Sequence, residues 1–170
     1  MSAGPTTPGS MPPVPDLFFD SSALVAGVLS KVGAARALLL LSEARLVRLT
    51  VSEQVITETE RALARKSPAA LPYYRAAVRQ AAIRIVADPA RETVQAHLDW
   101  IGDPTDVPIL VAAMEAGVDY LVTLNRRHFL TDPTLAERSR LRLGTPGDAL
   151  AWVRGRLASE EEESEPPETA

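Results

Sequence analysis

Short apolar runs alternate along this chain with longer segments whose apolar residues recur every three or four positions. Leu17-Phe18-Phe19 reads as a first buried strand, and it ends at Asp20-Ser21-Ser22, directly before the apolar stretch Ala23-Leu24-Val25-Ala26 of a helix. Ala34 to Ser42 reads as a leucine-rich helix, Leu46 to Leu49 as a short strand, and Ser52 as the N-cap of a helix reaching about Lys66. Pro68 and Pro72 punctuate the entry to a helix around Tyr73 to Ala82, followed by a strand at Ile83 to Val86 and a helix from Ala90 to Asp99. Asp106 opens the next helix, with Pro108 in its first turn where a missing N–H is tolerated, and Gly117 ends it. Tyr120 to Thr123 reads as a fully buried strand and Arg140 to Leu143 as the last one. Thr145-Pro146-Gly147-Asp148 combines a capping hydroxyl, proline at N1 and an acid at N3, opening a final helix to about Leu157. Short strands separated by helices predict an α/β domain around a parallel sheet.

Ligands of open α/β sheets sit at the carboxyl ends of the strands, so polar residues there are candidates for chemistry. Asp20 lies where the first strand meets its helix, as a cap or as part of a site. Ile109, Leu110, Ala113 and Gly117 follow Asp106 at helical spacing and form one face, so the Asp106 carboxylate starts the helix on its buried side and looks toward the sheet. One of its oxygens could cap while the other binds a ligand. Asp103 precedes Pro104, which biases it to extended backbone in the incoming loop, as an auxiliary carboxylate or an exposed loop residue. In the helix after Ser52 the acids Glu53, Glu58 and Glu60 are all available; Val55, Ile56, Ala62 and Leu63 mark the buried stripe, and periodicity does not choose between Glu58 and Glu60, which flank it. Glu58 could equally pair with Arg61. Asn125, just past a buried strand, is a good turn residue that also offers an uncharged carbonyl oxygen.

The formal charge of -4 conceals a division, because Glu160, Glu161, Glu162, Glu163, Glu165 and Glu168 all lie beyond Leu157. Without those six glutamates, 18 basic side chains face 16 acidic ones, so the body is slightly cationic and compatible with a phosphate-backbone partner. Residues 158–170 have the composition of a solvated, disordered tail, with mimicry of nucleic acid as the alternative reading. Residues 1–15 contain many Pro, Gly, Ser and Thr but no charged side chain, and read as a disordered leader without the basic and apolar regions of a secretory signal. The absence of cysteine removes disulfides, thiolate metal sites and a cysteine nucleophile, and fits a cytoplasmic protein. No apolar run approaches the roughly 20 residues of a membrane-spanning helix. One folded domain is therefore expected over residues 16–157.

Taken together, Asp20-Ser21-Ser22-Ala23-Leu24, Ser52 with Glu58 and Leu63, Asp103-Pro104-Thr105-Asp106 with Ile109, Leu110 and Ala113, and Leu121-Val122-Thr123 before Asn125 resemble a PIN domain. The likeness spans about residues 16 to 152 and is nearest to the VapC-type toxins of bacterial toxin-antitoxin systems. It implies a PIN-like three-layer α/β/α sandwich around a mostly parallel sheet, and it selects Glu58 over Glu60. The function it implies is a metal-dependent endoribonuclease and toxin, with an RNA substrate, a small antitoxin partner and a homodimeric state. Crowded carboxylates attract a cation, and Mg2+ or Mn2+ suits hard oxygen donors. On this reading Asp20 and Asp106 are metal ligands, Glu58 completes the catalytic trio, and Ser22, Thr123, Asp103 and Asn125 are supporting donors. Arg126 and Arg127, with His128 beside them, could meet RNA phosphates or form a solvated turn. Trp100 and Trp152 read as core or interface residues rather than stacking platforms. The family usually has aspartate where Asn125 stands, which removes one negative charge. A non-catalytic PIN-type binding module is therefore a competing reading, as is a haloacid-dehalogenase-like or other Mg-dependent phosphohydrolase, although that class normally has a second aspartate where Ser22 stands.

Overall fold

The structure, a computed structural model, describes residues 13–164. Leu17, Phe18 and Phe19 are fully buried in β1 (Asp16–Phe19), the middle strand of the sheet. On one side of it lie β2 (Arg48–Ser52) and then β3 (Arg84–Val86); on the other lie β4 (Tyr120–Val122) and then β5 (Arg142–Gly144). Every pairing is parallel, with Leu17 opposite Leu49 and Phe18 opposite Leu121. Strands buried on both faces need continuous apolar runs, which is what β1 and β4 supply.

The chain builds outward from β1 to β3 and then reverses across the sheet to β4. With right-handed crossovers, that reversal sends the helices between β3 and β5 to the opposite face. On the first face α1 (Ser21–Leu29) packs against α2 (Ala34–Glu43) and α3 (Glu53–Lys66), and α4 (Leu71–Gln80) joins α1 and α3. The last helix, α9 (Pro146–Ser164), lies against α2. Between β3 and β4 the chain forms α5 (Arg91–Gln95) and α6 (Val107–Ala116), which pack on one another. The result is the expected three-layer α/β/α sandwich. Gly117 ends α6 in the left-handed conformation at φ 65°, where a side chain would be strained.

Several boundaries differ from the sequence expectation. The second strand is not Leu46 to Leu49 but begins at Arg48 and continues through Thr50 and Ser52, because the buried Thr50 hydroxyl donates to Asp16 Oδ1 at 2.7 Å and Ser52 caps α3 at Val55 N–H. Leu46 is left exposed in the preceding turn. The helix expected from Ala90 to Asp99 shrinks to α5, followed by irregular turns. Two short helices, α7 (Arg126–Phe129) and α8 (Thr134–Ser139), were not anticipated; α8 ends at Arg140, in the left-handed region at φ 58°, so the last strand starts at Arg142. The segment read as a disordered tail from residue 158 instead continues α9 to Ser164, since glutamate and alanine favour helix and Arg156 pairs with Glu160 one turn on at 3.8 Å. Residues 1–12 of the expected leader and 165–170 of the expected tail lie outside the described residues. Trp100 and Trp152 are partly buried against the core, Trp152 with its ring 5.5 Å from that of Tyr120. Among the described residues, no single helix is long and apolar enough to cross a membrane.

Leu121 is fully buried in β4 at the centre of the sheet. Replacing it with alanine is expected to cost about 2–5 kcal/mol. Urea denaturation should show a lowered midpoint with an unchanged slope.

Candidate active site

The reversal of the chain opens a crevice between the carboxyl ends of β1 and β4, the position where open α/β sheets bind ligands. Asp20 closes its floor. Its N–H donates to Val122 O at 3.1 Å, continuing the β1–β4 ladder by one residue. The residue is only 4% exposed. Oδ1 accepts from Ala23 N–H at 2.8 Å, capping α1, and from the Ser22 hydroxyl at 2.6 Å, while Oδ2 accepts from the Thr123 hydroxyl. The donors are themselves held, since Ser22 Oγ accepts from Leu124 N–H and Thr123 Oγ1 from Asn125 N–H. Burial raises the Asp20 pKa above its ordinary value, the three hydrogen bonds oppose the rise, and the charge of Asp106 adds to it.

Asp106 stands at the mouth of the crevice. The capping role that sequence allowed it is not taken up by its side chain, which makes no cap bond; its backbone carbonyl accepts from Ile109 and Leu110 instead. The carboxylate is thus free to face the site. Oδ2 lies 2.5 Å from His128 Nδ1 and accepts from Asn125 Nδ2 at 3.2 Å. Burial raises its pKa; the hydrogen bond and charge of His128 lower it, and the charges of Asp103 and Glu58 raise it. Asp106 is therefore the acid at which the other carboxylates are felt.

Glu58 reaches the same region from α3. Its partners are the Ser21 hydroxyl at 2.9 Å and Gln54 Nε2 at 2.8 Å, and no ion pair with Arg61 occurs among the described residues. Gln54 also donates to Thr105 O at 3.3 Å, tying α3 to the loop before α6. In that loop Asp103 Oδ1 accepts from Thr105 N–H and its hydroxyl, which hold its carboxyl below the ordinary range and leave Oδ2 3.8 Å from His128 Nδ1. Arg126 and Arg127 are exposed on α7, and Arg127 lines a cleft of about 570 Å³ with His128, Trp100 and Thr131.

Of the acids singled out in the sequence, Asp103 lies beside Asp106, while Glu58 and Asp20 are near enough for charge to shift a pKa between them and Asp106. The ligand atoms of Asp103, Asp106 and His128 all lie within 4.8 Å of one another. His128, read as a phosphate contact or an incidental residue, is instead part of the acidic cluster. Its signal was local: Asn125 caps α7 by accepting from His128 N–H, and this one-turn spacing brings both side chains to the same edge. Gln54 and Ser21, which hold Glu58, carried no signal in the sequence.

A parallel α/β sandwich with acids at its switch point is an open α/β fold with a crevice placed for a ligand. The PIN domain model matches residues 16–127, and the chain belongs to the PIN domain family. Among solved structures the fold is similar to that of PAE2754 from Pyrobaculum aerophilum, at TM-score 0.56 and 19% identity over 83% of this chain and 90% of that one. It is also similar to VapBC2 from Rickettsia felis, solved bound to a DNA fragment from their promoter, at TM-score 0.55 and 15% identity over 76% of this chain and 98% of that one. The curated proteins give no significant sequence match.

The Asp106 carboxyl titrates above its ordinary value of 3.8, so the folded state holds that proton more tightly than the unfolded chain does. Its contribution to stability therefore falls as pH rises from the unfolded value through the folded one. Asp106→Asn has no proton to lose. In metal-free buffer between about pH 4 and about pH 7, the variant's Tm is expected to gain on the wild type as pH rises. A difference that stays flat or shrinks would mean the native carboxylate carries no penalty.

Proposed function

We propose that this protein is a divalent-metal-dependent endoribonuclease, the toxin of a toxin-antitoxin pair acting in the cytoplasm. The observation that carries the reading is the convergence of Asp106, Asp103, Glu58 and Asp20 at the carboxyl edge of a parallel sheet in a PIN domain.

The donor set fits Mg2+ or Mn2+, with hard oxygens dominating and too few cations to neutralise them. Asp106 is the principal ligand. Asp20 joins it, because a carboxylate offers about four acceptor directions and three are used here. A bound divalent ion supplies charge to polarise the scissile phosphate and to lower the pKa of an attacking water. Glu58, fixed by Ser21 and Gln54, keeps lone pairs with which to orient that water. Thr123 and Ser22 hold Asp20 in place, and Arg126 and Arg127 meet RNA phosphates at the rim. The exposed apolar residues Leu29, Val32 and Tyr73 favour a protein partner, either the antitoxin or a second copy of the chain.

Asn125 supports a second reading, a PIN-type module that binds without cleaving, since its amide donates to Asp106 where the family usually has a further carboxylate. Family membership sets aside the haloacid-dehalogenase-like alternative.

Purified protein, folded and free of antitoxin, is expected to cleave a labelled total-RNA pool with Mg2+ or Mn2+ and to stop when the ion is chelated. Asp106→Asn should lose about a hundredfold or more, the scale set by removing one preorganised electrostatic group. Arg126→Ala and Arg127→Ala should weaken RNA binding and lower its salt dependence by roughly 0.7 for each phosphate no longer neutralised. Absence of cleavage with both metals would leave the binding module as the function.

A further inference from the structure

We infer that His128 takes the place of the missing fourth carboxylate, binding the metal ion through Nδ1 together with Asp106 Oδ2 and Asp103 Oδ2 in a mixed nitrogen and oxygen site. This rests on the metal-dependent reading and names the ligand that distinguishes this chain within it.

Three features of the geometry carry the inference. First, the ring nitrogen and two carboxylate oxygens converge: Nδ1 is 2.5 Å from Asp106 Oδ2 and 3.8 Å from Asp103 Oδ2. Second, each oxygen keeps acceptor capacity for a ligand, because Thr105 occupies only the other oxygen of Asp103 and Asp106 Oδ2, which caps nothing, accepts a single amide bond from Asn125 beside the His128 contact. Third, Nδ1 is turned toward both the Asp106 carboxylate and the Asn125 amide 2.9 Å away, two groups that are themselves in contact at 3.2 Å. The contact is a hydrogen bond when Nδ1 carries the proton, and a divalent ion bound there would take the place of that proton between the two atoms. Ligands at right angles around a small divalent ion stand about 3 Å apart, so the pair has to open by only about half an ångström.

The position of His128 follows from the substitution at 125. An aspartate there would bring a second full negative charge next to Asp106. Asparagine instead accepts from His128 N–H, donates from its amide to Asp106, and turns the imidazole of the same helical turn into the site. The site thereby exchanges a hard oxygen donor for an imidazole. Imidazole suits transition metals, whereas Mg2+ is held by oxygen, so the exchange favours Mn2+ over Mg2+.

The test is pulsed electron paramagnetic resonance of the full chain loaded with Mn2+, paired with calorimetric titration of Mn2+ and Mg2+. The wild type and His97→Ala, which removes the chain's other histidine, should show nitrogen coupling from a bound imidazole, and His128→Ala should lose it, with Mn2+ affinity falling on the order of tenfold or more. His128→Asp, which restores an all-oxygen set, should bind Mn2+ without the coupling and narrow the preference for Mn2+ over Mg2+. Circular dichroism establishes that each variant is folded. Coupling that survives in His128→Ala, or bound Mn2+ with no coupling in the wild type, overturns the role of His128 and leaves the metal-dependent nuclease standing. Failure of the folded wild type to bind Mn2+ overturns both.

Discussion

The Asp20 carboxylate joins the two halves of the sheet, and the site is built on that junction. It caps α1, binds the hydroxyl at the end of β4, and leaves that hydroxyl to accept from Asn125 N–H. The orientation of the loop after β4, and hence of α7 with Asn125 and His128, depends on one buried acid. Each neutral hydrogen bond contributes about 0.5–1.5 kcal/mol and those to an ionised group more. Burial of the charge works against them, and the rise in the Asp20 pKa shows which influence is larger.

The two ends of β1 treat a carboxylate in opposite ways. At the amino end Asp16 accepts from Thr50 and lies 3.6 Å from Arg48 and 3.3 Å from Arg84, while its N–H donates to Asp119. That acid is neutralised and serves to pin β1, β2 and β3 in register. At the carboxyl end no arginine or lysine pairs with Asp20 or Asp106 among the described residues, and the one cationic candidate is His128. Uncompensated carboxylates in a crevice mark a place kept for a ligand rather than for stability.

Much of this was legible because the governing signals are local. The apolar run of β1 and β4, the caps at Asp20 and Ser52, and the glycine after α6 need only neighbours in sequence, and the acids at strand ends follow from topology. The limits of β2 were not legible, because Thr50 looks polar until Asp16, 34 residues earlier, is seen to satisfy it. Short helices such as α7 and α8 lack the length for a periodic signal. Glu58 could be chosen only through family resemblance, since its hold comes from Ser21, 37 residues away. The Asn125 cap that turns His128 to the site edge is local, but its contact with Asp106, 22 residues earlier, is not.

The length of α9 gives one helix two very different environments. Its 19 residues extend about 28 Å, yet among the described residues its buried ones, Pro146, Ala149 and Val153, all lie in the first half. Past Leu157 it has no apolar side chain larger than alanine to set against the domain. Amide exchange along α9 is therefore graded: amides near Val153 open only with the domain, whereas those near Ser164 open by fraying within the last turns. A single helix thus reports both the global and the local limits of the protein's stability.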